Sequence, residues 1–348
     1  MAWTKQIPAN PVVAVAGATG AVGNEFLQVL HDLDFPASEV RALASARSAG
    51  KKLPFKGCGQ VPAGDLVVQE MTPESFQGVD IALFSAGAGV SKQFRQAVKD
   101  AGAVTIDNSS AFRMDADVPL VVPEVNPEDV AWHDGVIANP NCSTIQMVVS
   151  LKPLYDLSRI KRVVVSTYQA ASGAGAKAMQ ELYAQTQEFL DGKSLTIEAF
   201  AHQIAFNCIP HIDVFLEDGS TKEEWKMVQE TKKIMHDEDL QVSATCVRVG
   251  VLRCHGESIN VEFENEVSPE AARKALEAAP GVTVMDDPDN KVYPMPGLLA
   301  GTDGAYVGRL RKDASVDHGL AFWNVADQIR KGAALNAVQI AQLLLPQD

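Results

Sequence analysis

A short apolar run, Pro11-Val12-Val13-Ala14-Val15-Ala16, breaks directly into Gly17-Ala18-Thr19-Gly20-Ala21-Val22-Gly23. A helical pattern through Phe26, Leu27 and Leu30 follows. A continuous apolar run of this length reads as a strand buried on both faces of a parallel sheet. The glycines let backbone approach a bulky anion, and the N-terminus of the next helix attracts negative charge. Strand, glycine-rich turn and helix are the setting of a dinucleotide-binding crossover. The spacing here is G-x-x-G-x-x-G, so a purely structural glycine turn remains the competing reading.

The following segments extend the pattern. Glu39 to Ala44, Val79 to Phe84 and Ala103 to Asp107 read as strands, with an amphipathic helix through Phe94, Ala97 and Val98 before the last. The expected order is βαβαβαβ, which implies a parallel sheet. Small residues after the third strand, Ser85-Ala86-Gly87-Ala88-Gly89, suit the crevice at the strands' C-terminal ends. An NAD site would place an acidic residue after the second strand. This chain has Ser45-Ala46-Arg47-Ser48 and then Lys51-Lys52. Arg47 and Ser48 suit a 2′-phosphate, which favours NADP; a solvated basic loop is the alternative. Arg113 stands at a further strand end, either as a bidentate phosphate ligand or as a surface ion pair.

Chemistry enters at Asn139-Pro140-Asn141-Cys142-Ser143-Thr144, between a strand-like run (Gly135 to Ala138) and an apolar periodic run (Ile145, Val148, Val149, Leu151). An Asn/Pro cluster followed by Ser/Thr reads as a turn opening a helix. First-turn N–H groups favour a thiolate, so Cys142 is a candidate nucleophile; a small buried residue at a helix start is the competing reading.

Beyond Ser150 the pattern changes. Arg162 to Gln169 reads as a strand, followed by Ala170-Ala171-Ser172-Gly173-Ala174-Gly175 and a helix from Lys177. Later runs at Gln241–Val249, Glu257–Phe263 and Ala305–Leu310 alternate, suggesting an antiparallel sheet covered on one face. Residues 321–345 are helical by spacing. The expected fold is α/β: a Rossmann-like first domain over 1–139, an α+β second domain over 140–320, and a C-terminal helix, 321–348, returning to the first.

The 348 residues carry a formal net charge of −14, which argues against a nucleic-acid partner. No apolar run approaches membrane-spanning length, and Met1 to Pro11 lack a secretory pattern, so a cytoplasmic protein is expected. The five cysteines form no CxxC pair, which suggests neither a disulfide framework nor a metal site.

With the glycine turn, Ser109-Ser110-Ala111-Phe112-Arg113, the Cys142 motif, Arg248-Val249-Gly250-Val251-Leu252-Arg253-Cys254-His255-Gly256 and Arg330-Lys331-Gly332-Ala333-Ala334-Leu335-Asn336 in view, the chain closely resembles aspartate-semialdehyde dehydrogenases over almost its whole length. The resemblance implies NADPH-dependent reduction of aspartyl phosphate to aspartate semialdehyde and phosphate through a cysteine thioester. It places the chain in lysine (diaminopimelate), threonine and methionine biosynthesis. It makes Cys142 the nucleophile, His255 the general acid/base and Gln169 the residue that positions substrate. It gives Arg248 the substrate carboxylate, Glu223 the substrate amino group, and Lys226 and Arg113 the phosphate. Glu223 and Lys226 lie at i and i+3, on one helix face, where a plain surface ion pair is the alternative. Glu224 competes with Glu223 for its role. For NADP the resemblance points to Gly17, Thr19, Gly20, Ala21 and Val22 at the pyrophosphate and Arg47 and Ser48 at the 2′-phosphate. Ser172, Gly173 and Gln339 would be further contacts. The implied assembly is a homodimer, or a tetramer, built through the second domain.

Three rivals are separable. An N-acetyl-glutamyl-phosphate reductase would not need Glu223, because an acetylated amine carries no positive charge. A non-catalytic relative would have no need of Cys142 or His255. A short-chain reductase would normally carry Tyr-x-x-x-Lys, which neither Tyr155 nor Tyr183 provides.

Overall fold

Val13 to Ala16 are fully buried, as a strand paired on both edges and covered on both faces must be. A computed structural model describes Trp3 and residues 5–346; the outermost residues of the expected first domain, 1, 2, 4, 347 and 348, lie outside the described residues. The chain divides into two units, Met1–Asn141 with Ala333–Asp348, and Cys142–Gly332.

The first unit contains β1 (Val12–Ala16), α1 (Ala21–Asp32), β2 (Glu39–Ala44), β3 (Lys52–Phe55), β4 (Gly64–Val67), β5 (Gln69–Glu70), β6 (Ile81–Phe84), α2 (Ala88–Asp100), β7 (Val104–Asp107) and β8 (Val136–Ala138). Its six-stranded sheet, in the order β5-β2-β1-β6-β7-β8, is parallel throughout. The strand order reverses between β1 and β6, the place where such sheets open a ligand crevice. One expectation fails here: among the described residues no α-helix lies between β2 and β6, only the short 3-10 turns Ala46–Ser48 and Pro73–Phe76. That segment forms the antiparallel hairpin β3–β4, because Gly57 and Gly59 take positive φ and fold the chain back.

The second unit begins with α3 (Cys142–Tyr155), β9 (Ile160–Gln169), α4 (Ala176–Leu190), β10 (Cys208–Ile209), α5 (Lys222–Met235), β11 (Gln241–Val249) and β12 (His255–Phe263). It continues with α6 (Pro269–Ala278), β13 (Val282–Val284), α7 (Pro296–Leu299), β14 (Ala305–Asp313) and β15 (Gly319–Ala326). Its seven strands run in the order β10-β11-β9-β12-β15-β14-β13. The sheet is mixed, not antiparallel throughout: β9 and β11 pair in parallel, because α4 and α5 lie between them in the chain and carry it back across the sheet. Helix α3 is buried on every side, from Ser143 to Leu151, and packs against α5, α6 and the sheet. On the sheet's other face, Arg162, Val164, Ser166 and Tyr168 are half-buried or exposed.

The C-terminal helix begins later than its spacing suggested. Residues 319–326 form β15, which bonds to both β12 and β14; the aromatic pair Phe322-Trp323 suits a pleated surface. A π-helical turn, Arg330–Leu335, leads into α8 (Asn336–Leu343), which packs against α1, β6 and β7 of the first unit.

Candidate active site

Cys142 is the first residue of α3 and is partly exposed. Gly332 closes over it: a methyl group there would stand 2.9 Å from Cys142 Cβ. The sulfur's electrostatic partner is Arg248, and a cation beside a sulfur favours its thiolate.

Strand register assembles the remaining groups. Arg248 pairs with Gln169 across the parallel β11–β9 ladder, and Gly256 pairs with Tyr168 across β12–β9. Gln169, Arg248 and His255 therefore stand at the ends of three adjacent strands and are buried, at 1%, 6% and 0% exposure. The main chain of Ala170 fixes two of them. Its N–H donates to His255 Nδ1 at 3.0 Å, and its carbonyl accepts from Arg248 Nη1 at 2.6 Å. Nδ1 is thereby an acceptor, so the neutral ring carries its proton on Nε2. Burial, reinforced by the Arg248 charge, holds His255 well below the ordinary histidine value. Burial also lowers Arg248 from its ordinary value, against the opposing pull of Glu223 and Cys142; a guanidinium stays a cation there. Gly173 leaves the space beside both: a methyl on it would lie 2.9 Å from Arg248 Nη1 and 3.2 Å from His255 Nε2. Ser172, its neighbour, is buried and accepts a short hydrogen bond from Gln328.

Glu223 joins this group from α5. Gln169 Nε2 donates to its Oε1 at 3.2 Å, and Lys226 Nζ donates to its Oε2 at 3.1 Å. Lys226 also bonds Asp213 Oδ2 at 2.7 Å. Burial disfavours the Lys226 ammonium, but Glu223 and Asp213 override it and raise its pKa. Glu224 is committed elsewhere: it accepts from Thr221 N at 2.7 Å to close the helix cap, and from Cys246 N at 3.0 Å. The spacing of Glu223 and Lys226 thus reflects a half-buried charge cluster and not a surface pair. The roles of Asp213, the main chain of Ala170 and Gly332 escaped sequence reasoning: Asp213 sits in no motif, and the runs that hold Ala170 and Gly332 do not say what each one touches.

In the first unit, Gly17 adopts φ +90°, and a Cβ on it would fall 2.3 Å from the Ser85 carbonyl oxygen. The turn after β1 therefore lies flat against the end of β6. A cavity of about 510 Å³ opens there, bordered by Gly17, Thr19, Gly20, Ser45, Ala46 and Ser85, among others. It fits a dinucleotide: it sits at the order reversal, and backbone lines it where a side chain would intrude. Ala21 and Val22 open α1. Arg47 is exposed and Ser48 buried on the single turn Ala46–Ser48; neither is among the residues bordering the cavity. Arg113 is buried, and its Nη2 donates to the Asn108 carbonyl at 3.0 Å. Gln339, on α8, donates to Glu124 Oε1 at 3.2 Å.

Comparison with known proteins matches nearly the whole chain. Residues 12–133 match the family described as semialdehyde dehydrogenase, NAD binding domain, and residues 151–331 match semialdehyde dehydrogenase, dimerisation domain. The chain is 58% identical to the aspartate-semialdehyde dehydrogenase of Aquifex aeolicus, over 96% of this chain and 98% of that one. It superimposes with a TM-score of 0.92 on aspartate semialdehyde dehydrogenase II of Vibrio cholerae complexed with ASA, at 46% identity and 98% coverage of both chains. It also matches the Candida albicans enzyme with NADP, with a TM-score of 0.73, 29% identity, and 96% and 98% coverage.

Proposed function

Because the chain belongs to the aspartate-semialdehyde dehydrogenase family, we propose that it reduces L-aspartyl 4-phosphate to L-aspartate 4-semialdehyde and phosphate with NADPH. The product feeds lysine (through diaminopimelate), threonine and methionine synthesis. The observation that carries the reading is the convergence of Arg248 and His255 on the space that Gly173 leaves open, with Arg248 acting on the Cys142 sulfur.

The Cys142 thiolate attacks the acyl phosphate carbon; a C–S bond forms, the C–O bond to phosphate breaks, and a thioester remains. Bound NADPH supplies the hydride that reduces this carbon. Cys142 then leaves as the hemithioacetal collapses, releasing the aldehyde; one proton is consumed overall. Arg248 holds the substrate carboxylate. Glu223 receives the substrate ammonium, and Gln169, bonded to Glu223, orients the substrate toward the sulfur. Lys226 and Arg113 are assigned to phosphate. His255 Nε2–H donates a hydrogen bond to the carbonyl oxygen as charge develops on it. Charging the ring would require a proton on Nδ1 and would break the Ala170 hydrogen bond, so donation from Nε2 is the role that the geometry supports. Gly17, Thr19, Gly20, Ala21 and Val22 would hold the pyrophosphate of NADP, Arg47 and Ser48 the 2′-phosphate, and Ser172, Gly173 and Gln339 further parts.

We assign the protein to the cytoplasm and to a homodimer joined through the open face of the seven-stranded sheet around Tyr168; sedimentation of Tyr168→Asp against the parent tests the interface and would reveal a tetramer. The activity test is NADP reduction with aspartate semialdehyde, with and without phosphate, beside Cys142→Ala. Phosphate-dependent turnover that the variant lacks supports the assignment. An inactive, folded parent protein refutes it.

A further inference from the structure

The sheet face that meets α3 carries a second polar row behind Gln169 and His255. Register sets Thr167 of β9 opposite Glu257 of β12, and Glu257 opposite Asn324 of β15. Glu257 is completely buried, and nothing in the chemistry above employs it. Asn324 Nδ2 donates to Glu257 Oε2 at 3.1 Å and to the Gln146 carbonyl at 3.0 Å. Ser150 Oγ donates to Asn324 Oδ1 at 3.2 Å. Gln146 lies one turn below Cys142 on α3; its side chain adjoins Glu257, and its Nε2 donates to the His255 carbonyl at 3.4 Å. One carboxyl on the His255 strand thus reaches the Cys142 helix through Asn324 and lies beside the Gln146 amide.

Its protonation state follows from the surrounding atoms. Glu257 Oε1 and Gln146 Oε1 are both buried without a donor among the described residues. No lysine or arginine pairs with Glu257 there. A carboxylate would be an uncompensated buried charge, whereas a carboxylic acid supplies the donor this cluster lacks. The titratable groups around it are His255 on its own strand and Cys246 on β11, whose thiol is pushed up by burial and by the carboxylates of Glu223, Glu224 and Glu257. Helix α3 and strand β15 present Gln146, Ser150 and Asn324, which do not titrate. Burial pushes the Glu257 carboxyl up to about 8, with the Asn324 hydrogen bond and the nearby Gln146 amide offsetting only part of the rise.

We propose that Glu257 is a positioning residue that works as the neutral acid: through Gln146 and Asn324 it ties the His255 strand to the Cys142 helix, and its ionisation at alkaline pH loosens that tie and lowers activity. This rests on the assignment of Cys142 and His255 above. The test compares the parent protein with Glu257→Gln, which keeps the shape and cannot ionise, and with Glu257→Leu. Two profiles are recorded from neutral to alkaline pH: phosphate-dependent NADP reduction, and the rate of Cys142 alkylation by iodoacetamide, which needs no substrate.

Glu257→Gln is expected to stay within about threefold of the parent kcat near neutrality, and to lack in both profiles an ionisation that the parent shows close to pH 8. Glu257→Leu, which removes the tie, is expected to lose about tenfold or more in kcat with KM for NADP unchanged. Superimposable profiles for the parent and Glu257→Gln overturn the proposal, as does a Glu257→Leu variant with the parent kcat. If Glu257→Leu does not fold, the Gln comparison still decides. If the parent never turns over aspartate semialdehyde, the functional reading has failed, and the alkylation profile judges Glu257 alone.

Discussion

Replacing Gly173 by alanine separates the geometry of the site from the stability of its loop. Gly173 has ordinary backbone dihedrals, so alanine adds no conformational strain. The new methyl would lie 2.9 Å from Arg248 Nη1 and 3.2 Å from His255 Cε1 and Nε2. Restoring ordinary contact at about 3.5 Å requires Arg248 to yield by roughly half an ångström. It cannot yield freely, because the same Ala170 peptide grips Arg248 and His255. A misplacement of about 1 Å in a catalytic group costs roughly a hundredfold, so half of that predicts about a tenfold loss in kcat/KM. Overpacking adds about 1–3 kcal/mol of destabilisation at most. Gly175, two residues on, is the control. It sits at φ +94° with no atom within 4 Å of a new Cβ, so alanine there strains the backbone by about 1–3 kcal/mol and touches nothing. The assays are steady-state aldehyde oxidation and thermal unfolding of both variants. The expected result is a comparable loss of Tm in the two variants, with kcat/KM falling in Gly173→Ala and staying near the parent value in Gly175→Ala. Parent-like kcat/KM for Gly173→Ala would refute the argument, as would equal activity losses in the two variants.

Further outcomes follow from the same structure. Burial pushes the thiols of Cys58 and Cys254 up to about 11 and about 12 and raises Cys246 as well, so iodoacetamide near neutral pH should label Cys142 and Cys208 alone in the native protein; peptide mass spectrometry showing native labelling of Cys58 would contradict this. Because the folded Glu257 keeps its proton to about 8 and the unfolded residue loses it near 4.5, the parent should lose about 1.4 kcal/mol of stability per pH unit between those values relative to Glu257→Gln. The Tm advantage of Glu257→Gln should therefore grow as pH rises, and a constant difference would refute the linkage. Asn139→Ala removes a residue that donates to Asn108 Oδ1 at 2.8 Å and accepts from Asn336 Nδ2 at 2.7 Å; losing two hydrogen bonds worth about 0.5–1.5 kcal/mol each should cost about 1–3 kcal/mol in denaturant unfolding, and an unchanged midpoint would show that the chain of amides contributes nothing. Arg47→Ala should raise KM for NADP by about tenfold and KM for NAD far less, with equal changes removing Arg47 from the 2′-phosphate.

Local order was readable wherever a residue's role depends on its chain neighbours. The run Val12–Ala16 with its glycine turn, the helix opening at Cys142, and the alternating strands at Gln241 and Glu257 all carry their signal within a few residues, because backbone sterics, capping and burial period act over that range. The same locality explains the misreading of 321–326: Ala321, Phe322 and Val325 satisfy a helical spacing as well as a strand, and only the open edges of β12 and β14 on either side select the strand. Likewise, Glu223 and Glu224 are equivalent in one dimension. Folding separates them, one toward Gln169 and the other into the Thr221 cap and the Cys246 main chain, because adjacent helical residues point about 100° apart. The partners that set the chemistry, Ala170 under His255 and Arg248, Gly332 against Cys142, and Asp213 on Lys226, come from segments far apart in the chain or outside any periodic run. Their contacts rest on strand register and helix packing, which depend on the summed fit of many side chains and leave no mark at the individual residue.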